Sequence, residues 1–148
     1  MGESSQILDK ARQLCDERGV RLTPQRFKTL ELIIEYGRSI SAYELLDLLK
    51  VTEPQAKPPT VYRALDFLLE QGFVHKVEST NSYIACCSLG HADHCSQLLI
   101  CDNCGFVEEC HDNELAALLL RRAQHQDFSV KHHVVESHGV CRKCRDSN

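Results

Sequence analysis

A chain of 148 residues, 26% charged and 43% hydrophobic, has the make-up of one medium or two small globular domains. Its net charge of −4 argues against a uniformly basic nucleic-acid binder, so any such role needs positive charge concentrated locally. The polar start points away from a secretory leader, Gln6 stands where a myristoylation signal wants Ser or Thr, and the run Leu115 to Leu120 is too short for a bilayer. The expectation is a cytoplasmic protein with no membrane partner. In that compartment nine cysteines point to metal rather than to a disulfide framework. Charge is uneven along the chain. Residues 10–28 hold six Lys/Arg against two acids, whereas residues 81–148 hold six against nine. That asymmetry suits a first half that meets phosphate and a second half that holds cations.

In chain order, Ile7, Leu8, Ala11, Leu14 and Cys15 recur at helical spacing, which predicts an amphipathic helix over 4–18 ending at Gly19. Thr23-Pro24 reads as an N-cap with proline at the first helical position, opening a helix to about Tyr36 that buries Phe27, Leu30, Ile33 and Ile34. Ser41 and Glu44 have capping-box spacing for a third helix, 42–50, with Leu45, Leu48 and Leu49 inward. Pro58-Pro59-Thr60 opens a fourth helix. Its apolar stripe is Val61, Ala64, Leu65, Leu68 and Leu69, and its polar face shows Tyr62, Arg63, Asp66 and Glu70. Residues 73–77 and 82–85 read as two strands around the turn Ser79-Thr80-Asn81. Helices followed by a β-hairpin are the layout of a winged helix-turn-helix, placed at 1–84.

Beyond residue 85 the composition shifts to Cys, His and acid, marking a second, small α/β domain over 85–148. Residues 86–96 read as a connection. Strands are expected at 98–101, 106–110 and 128–135. A helix is expected at 112–126, with Leu115, Leu118, Leu119 and Ala123 inward. The fold class is therefore α+β.

Two Cys-x-x-Cys pairs bracket that domain: Cys101 with Cys104, and Cys141 with Cys144. A two-residue gap lets one backbone turn present two sulfurs to one ion, and two such turns complete the tetrahedron zinc favours at structural sites. Redox dithiols are the alternative, but the first pair lacks the strand-then-helix context of a thioredoxin-type motif. A looser set, His75, Cys86, His94 and Glu109, offers imidazole, thiolate and carboxylate, all acceptable to zinc. Cys87, His91, Asp93, Cys95, His132 and His133 are neighbouring candidates, and spacing alone does not select among them. Cys15, Cys110, His111 and His125 read as structural or surface residues.

The fourth helix has the two faces a DNA-reading helix needs: one docked on its own domain, one open to the major groove. Arg63 offers a bidentate donor for guanine, and Tyr62 an aromatic edge and a hydroxyl. Thr60, Lys57, Arg21, Gln25 and Arg26 are candidate backbone contacts that set register rather than sequence, as is Lys76 on the wing.

These residues resemble a known family. Pro58 to Leu65 (Pro-Pro-Thr-Val-Tyr-Arg-Ala-Leu), Leu22 to Arg26 (Leu-Thr-Pro-Gln-Arg), Cys101 to Gly105 and the terminal Cys-x-x-Cys look like the ferric uptake regulator superfamily. The stretches Ala56 to Tyr83 and Glu136 to Cys141 are similar to its zinc-uptake-regulator branch. The resemblance implies a bacterial homodimeric repressor that binds double-stranded operator DNA, with a C-terminal dimerisation domain and two zinc ions per subunit. By motif, Cys101, Cys104, Cys141 and Cys144 match the structural zinc site. His75, Cys86, His94 and Glu109 match the regulatory one. Glu108 is the alternative to Glu109 should the strand register differ, and His91, Asp93, Cys95 and His133 stay open as a third cluster. No catalytic residue and no small-molecule substrate are expected. The rivals are an iron or peroxide sensor of the same superfamily, a zinc hydrolase or deaminase (neither of whose signatures is present), and a zinc or redox module without DNA.

Overall fold

In the computed structural model, residues 2–87, 89, 96–131 and 133–147 are described. They fall into two units, Met1–Ala92 and Asp93–Asn148. Among the described residues no helix is long and apolar enough to cross a membrane.

The first unit is a winged helix-turn-helix. Helix α1 (Gly2–Arg18) starts two residues earlier than periodicity suggests and buries Leu8, Ala11, Leu14 and Cys15. It closes at Gly19, whose φ of +68° is the left-handed conformation glycine reaches without a Cβ penalty, while the Val20 N–H reaches back to the Cys15 carbonyl at 3.0 Å. Helix α2 (Pro24–Tyr36) is capped as its sequence says: the Thr23 hydroxyl accepts from the Arg26 N–H at 3.3 Å. Helix α3 (Ala42–Thr52) carries the full capping box. The Ser41 hydroxyl accepts from the Glu44 N–H at 3.1 Å, and the Glu44 carboxylate accepts from the Ser41 N–H at 2.9 Å.

Helix α4 (Pro58–Glu70) buries Val61, Ala64, Leu65, Phe67 and Leu68. Phe67 lies outside the stripe read from periodicity. It belongs to the buried core, and the Arg26 guanidinium covers its ring at 3.9 Å from the centroid, so a side chain near the edge of the polar face is closed off from water by core and cation together.

The wing is β2 (Val74–Val77) and β3 (Ser82–Ala85), antiparallel, with Val74 opposite Ala85 and Val77 opposite Ser82. Asn81 turns the corner at φ 49°, a left-handed position that Asn tolerates. A third strand, β1 (Ile40–Ser41), pairs with β3 to give the order β1-β3-β2. Two residues are too few to show alternation, which is why the sequence does not reveal it. Phe73, Leu30, Ile33, Ile40, Leu45, Leu49, Leu65 and Leu68 form the fully buried centre of this unit. At its edge the Arg18 guanidinium donates to the Gln71 carbonyl at 2.7 Å and lies over Phe73, tying the end of α1 to the turn that leads into β2.

The second unit is a three-stranded sheet of order β5-β4-β6, with β4 (Ser96–Cys101) central and β5 (Val107–His111) antiparallel to it. The last strand differs from the sequence expectation. Residues 128–134 hold no strand among the described positions; β6 is Val135–Gly139 and runs parallel to β4, with Gln97 opposite Val135 and Cys101 opposite Gly139. The physical reason is the ladder itself: this register ends both strands at the same level, just where each leads into a Cys-x-x-Cys turn. Helix α5 (Asn113–His125) is capped by Asp112, whose carboxylate accepts from the Glu114 and Leu115 N–H groups. Its expected inward face is only partly covered: Leu115, Leu119 and Ala123 are half-buried and Leu118 is exposed. A short helix, α6 (Arg142–Asp146), follows the final strand and carries Cys144.

Candidate metal centre and nucleic-acid interface

Parallel pairing of β4 with β6 brings two knuckles together that are 37 residues apart in sequence, counted from Cys104 to Cys141. Cys101 ends β4 and Cys104 follows one turn later, with Gly105 at φ +74° and its N–H on the Cys101 carbonyl at 2.9 Å. The sulfurs of Cys101, Cys104, Cys141 and Cys144 all lie within 4.8 Å of one another. The Cys104 and Cys141 Sγ atoms are 3.7 Å apart. A disulfide requires about 2.05 Å. A tetrahedron with zinc–sulfur bonds of about 2.3 Å has edges of about 3.8 Å. The spacing therefore fits a tetrathiolate ion.

The electrostatics fit as well. N–H donation from Cys141, then from Cys104 and Asn103, lowers the Cys101 thiol to about 6. Hydrogen bonds with Cys141, Cys104 and Cys101 push the Cys144 thiol up to about 12. One member of the cluster ionises easily because backbone N–H groups point at its sulfur, and another resists because it keeps its proton in hydrogen bonds with the neighbouring sulfurs. A divalent cation is what allows all four to be ionised together.

Of the mixed set, His75 lies on β2 opposite Ile84, and Cys86 is buried just past β3, with its N–H on the Phe73 carbonyl at 2.9 Å. A ring nitrogen of His75 and the Cys86 sulfur come within 4.8 Å. In the second unit, Glu109 faces the same side of the sheet as Leu98 and has a 4% exposed side chain, with its carboxylate 3.4 Å from the His111 Nε2. Glu108 is opposite Leu99 and exposed on the other face. His94, with His91, Asp93, Cys95 and His132, lies outside the described residues. Cys15 is part of the first unit's core, where burial raises its thiol above the ordinary range, and it reads as inert.

On α4, Tyr62 and Arg63 are exposed side by side, as periodicity predicts. Several of the other nucleic-acid candidates have local partners. Thr60 caps its own helix, its hydroxyl accepting from the Lys57 N–H at 3.3 Å. The Gln25 amide donates to the Glu53 carboxylate at 2.9 Å, and the Arg26 guanidinium donates to the Arg21 carbonyl at 2.6 Å besides stacking on Phe67. Lys76 pairs with Glu78 at 3.6 Å. Sequence reasoning passed over His138, whose ring stands between the carboxylates of Asp102 and Glu136 at 3.3 Å each. The expected last strand stops at 135, so the i, i+2 spacing of Glu136 and His138 marks a shared face only once β6 puts both on one strand.

Comparison with known proteins agrees with this architecture. The ferric uptake regulator family pattern matches residues 17–144. The chain is 52% identical over 142 residues to the zinc uptake regulation protein of Escherichia coli (strain K12), covering 95% of this chain and 82% of that protein. It is 30% identical over 142 residues to the peroxide operon regulator of Bacillus subtilis (strain 168), covering 93% and 92%. A solved zinc uptake regulator complexed with zinc and DNA superposes with a TM-score of 0.94 at 50% identity, covering 97% of this chain and 96% of that one. With its winged helix, its four-cysteine cluster and these matches, the chain belongs to the ferric uptake regulator family.

Proposed function

We propose that this protein is a zinc-responsive, DNA-binding transcriptional repressor of zinc-uptake genes, a cytoplasmic homodimer rather than an enzyme. The observation that carries the reading is the likeness of nearly the whole chain to a zinc uptake regulator complexed with zinc and DNA. The identity of 52% to a zinc regulator against 30% to a peroxide regulator favours zinc over the rival sensors.

In this reading residues 1–84 read DNA and residues 85–148 bind metal and dimerise. Cys101, Cys104, Cys141 and Cys144 hold a structural zinc; in support, their sulfur spacing suits zinc and the donors are all soft. His75, Cys86, His94 and Glu109 hold a second, regulatory zinc; in support, His75 and Cys86 are neighbours and Glu109 rather than Glu108 faces the buried side of its sheet. The ion supplies a shared bond between ligands from the two units and so restrains how they are oriented. The chain's own residues then set the outcome. Arg63 and Tyr62 meet base edges, while Thr60, Lys57, Arg21, Gln25 and Arg26 fix register on phosphates. Two reading helices of a dimer must reach major grooves about 34 Å apart, or a multiple of that, so few orientations serve. A hundredfold preference of zinc for the competent arrangement is worth about 2.7 kcal/mol, enough to switch occupancy.

The test is operator binding by gel shift as free zinc is titrated, with metal content measured in parallel. Zinc-dependent binding to the promoters of zinc-acquisition genes is the expected result. Binding that ignores zinc, or responds only to iron(II) or peroxide, overturns the reading.

A further inference from the structure

His138 stands at the junction of the two cysteine knuckles. It lies on β6 opposite Ile100, three positions before Cys141. Its Nδ1 is 3.3 Å from the Asp102 carboxylate, and its Nε2 is 3.3 Å from the Glu136 carboxylate. Asp102 sits inside the first knuckle, between Cys101 and Cys104. Glu136 sits on the strand that leads into the second. The backbone runs the same way: the Asp102 N–H donates to the Gly139 carbonyl at 2.8 Å, and the Cys141 N–H points at the Cys101 sulfur at 3.3 Å.

We propose that His138 is a positioning residue for the four-cysteine zinc site, an imidazolium strap that holds the first knuckle against the strand feeding the second and so slows escape of the ion. This rests on the reading of Cys101, Cys104, Cys141 and Cys144 as a zinc site.

Three arguments carry it. First, a carboxylate accepts and does not donate, so a ring with a carboxylate at each nitrogen makes both bonds only when both nitrogens bear hydrogen. The neighbouring Asp102, then Glu136, raise the affinity of His138 for that second proton. Second, zinc with four thiolates carries a net charge of about −2. The Asp102 carboxylate beside it adds repulsion, and a positive ring between Asp102 and Glu136 offsets that charge. Third, release of an ion from a tetrathiolate site starts with one knuckle swinging away from the other. The two pairs are partly exposed and individually weak. Only the Asp102 pair spans from the first knuckle to β6 and resists that motion; the Glu136 pair lies within β6 and orients the ring toward Asp102, and groups that orient metal ligands matter to metal retention.

The experiment measures the rate of zinc transfer from the full-length protein to an excess of a chromogenic chelator. Every protein in the series carries Cys86→Ser, so that the ion followed is the tetrathiolate one. His138→Ala is expected to release zinc about tenfold faster, the low end for partners that orient metal ligands. Asp102→Asn is expected to do likewise, and the double variant to be no faster than either single one. His138→Arg, which keeps the charge and offers two donors, is expected to return the rate to within about twofold of the parent, which a loss of packing alone would not allow. A rate for His138→Ala within about twofold of the parent overturns the proposal, as does a double variant whose effects multiply. Should His138→Ala fail to fold, Asp102→Asn decides alone: faster release supports the strap and an unchanged rate overturns it. A Cys104→Ser protein in the same series that keeps its full zinc content would instead overturn the zinc-site reading itself.

Discussion

The sulfur of Cys104 stands 3.7 Å from that of Cys141, with the β5–α5–β6 segment of the chain looped out between them. That distance is too long for a disulfide and right for two corners of a zinc tetrahedron. The contact staples the beginning of the second unit to its end. The unit's own helix buries no residue fully, so its apolar packing is thin. Removing one sulfur should therefore cost fold as well as metal. Cys104→Ser is expected to purify with about one zinc fewer per subunit and to lose several kcal/mol of stability, in line with the folding energy that structural zinc supplies. Metal analysis and thermal unfolding check this, and a normally stable, fully loaded protein would contradict it.

Cys86 poses the opposite case. It is buried, and its backbone is already held by Phe73. Serine is close in volume, so the first unit should keep its fold. Cys86→Ser is expected to retain the tetrathiolate ion and the dimer while losing zinc-stimulated operator binding. A gel shift across a zinc titration reads this directly. An undiminished zinc response removes Cys86 from the regulatory site.

Arg63 and Arg26 should fail differently although both belong to the DNA-reading unit. Arg63 projects from the exposed face of α4 beside Tyr62. Arg63→Ala is expected to cost about 1–3 kcal/mol on operator DNA and much less on random DNA if its contact is bidentate. The Arg26 guanidinium is engaged with Phe67 and the Arg21 carbonyl. Arg26→Ala should lower stability by about 1–2 kcal/mol through the lost stacking and hydrogen bond, and weaken operator and random DNA alike. Paired binding curves on the two DNAs, with melting temperatures, separate the two roles.

The Glu44 capping box predicts an acid limb in the stability of the first unit. The Ser41 N–H, with the Ser41 hydroxyl, holds the Glu44 carboxyl below the ordinary carboxylate range. The folded value is thus depressed relative to the unfolded one. Its contribution is fully present above the ordinary carboxyl pKa and is lost as pH falls through the lower folded value. Glu44→Gln keeps a side-chain acceptor without the titrating charge. The variant should unfold at acid pH with a shallower dependence than the parent, and the two should differ most near neutral pH. Helical circular dichroism followed from pH 7 downward checks this, and parallel curves would remove Glu44 from the acid response.

Whatever depends on neighbours along the chain is legible in the amino-acid order. Thr23-Pro24, the Ser41–Glu44 box and the Val61–Leu68 stripe specify helices because caps and periodicity act within one or two turns. The two Cys-x-x-Cys pairs announce their chemistry because a two-residue gap already fixes one edge of a tetrahedron. What depends on partners far along the chain emerges only in the folded molecule. The fold moved the last strand from 128–135 to Val135–Gly139, since a parallel ladder with β4 is chosen by distant hydrogen bonds and not by local alternation. It added the two-residue β1, left Leu118 exposed, and laid Arg26 over Phe67. It separated Glu109 from Glu108 by sheet face, and it set His138 between Asp102 and Glu136. Local rules choose the elements. Register and long-range electrostatics choose which of their side chains meet, and in this chain those meetings make the metal site.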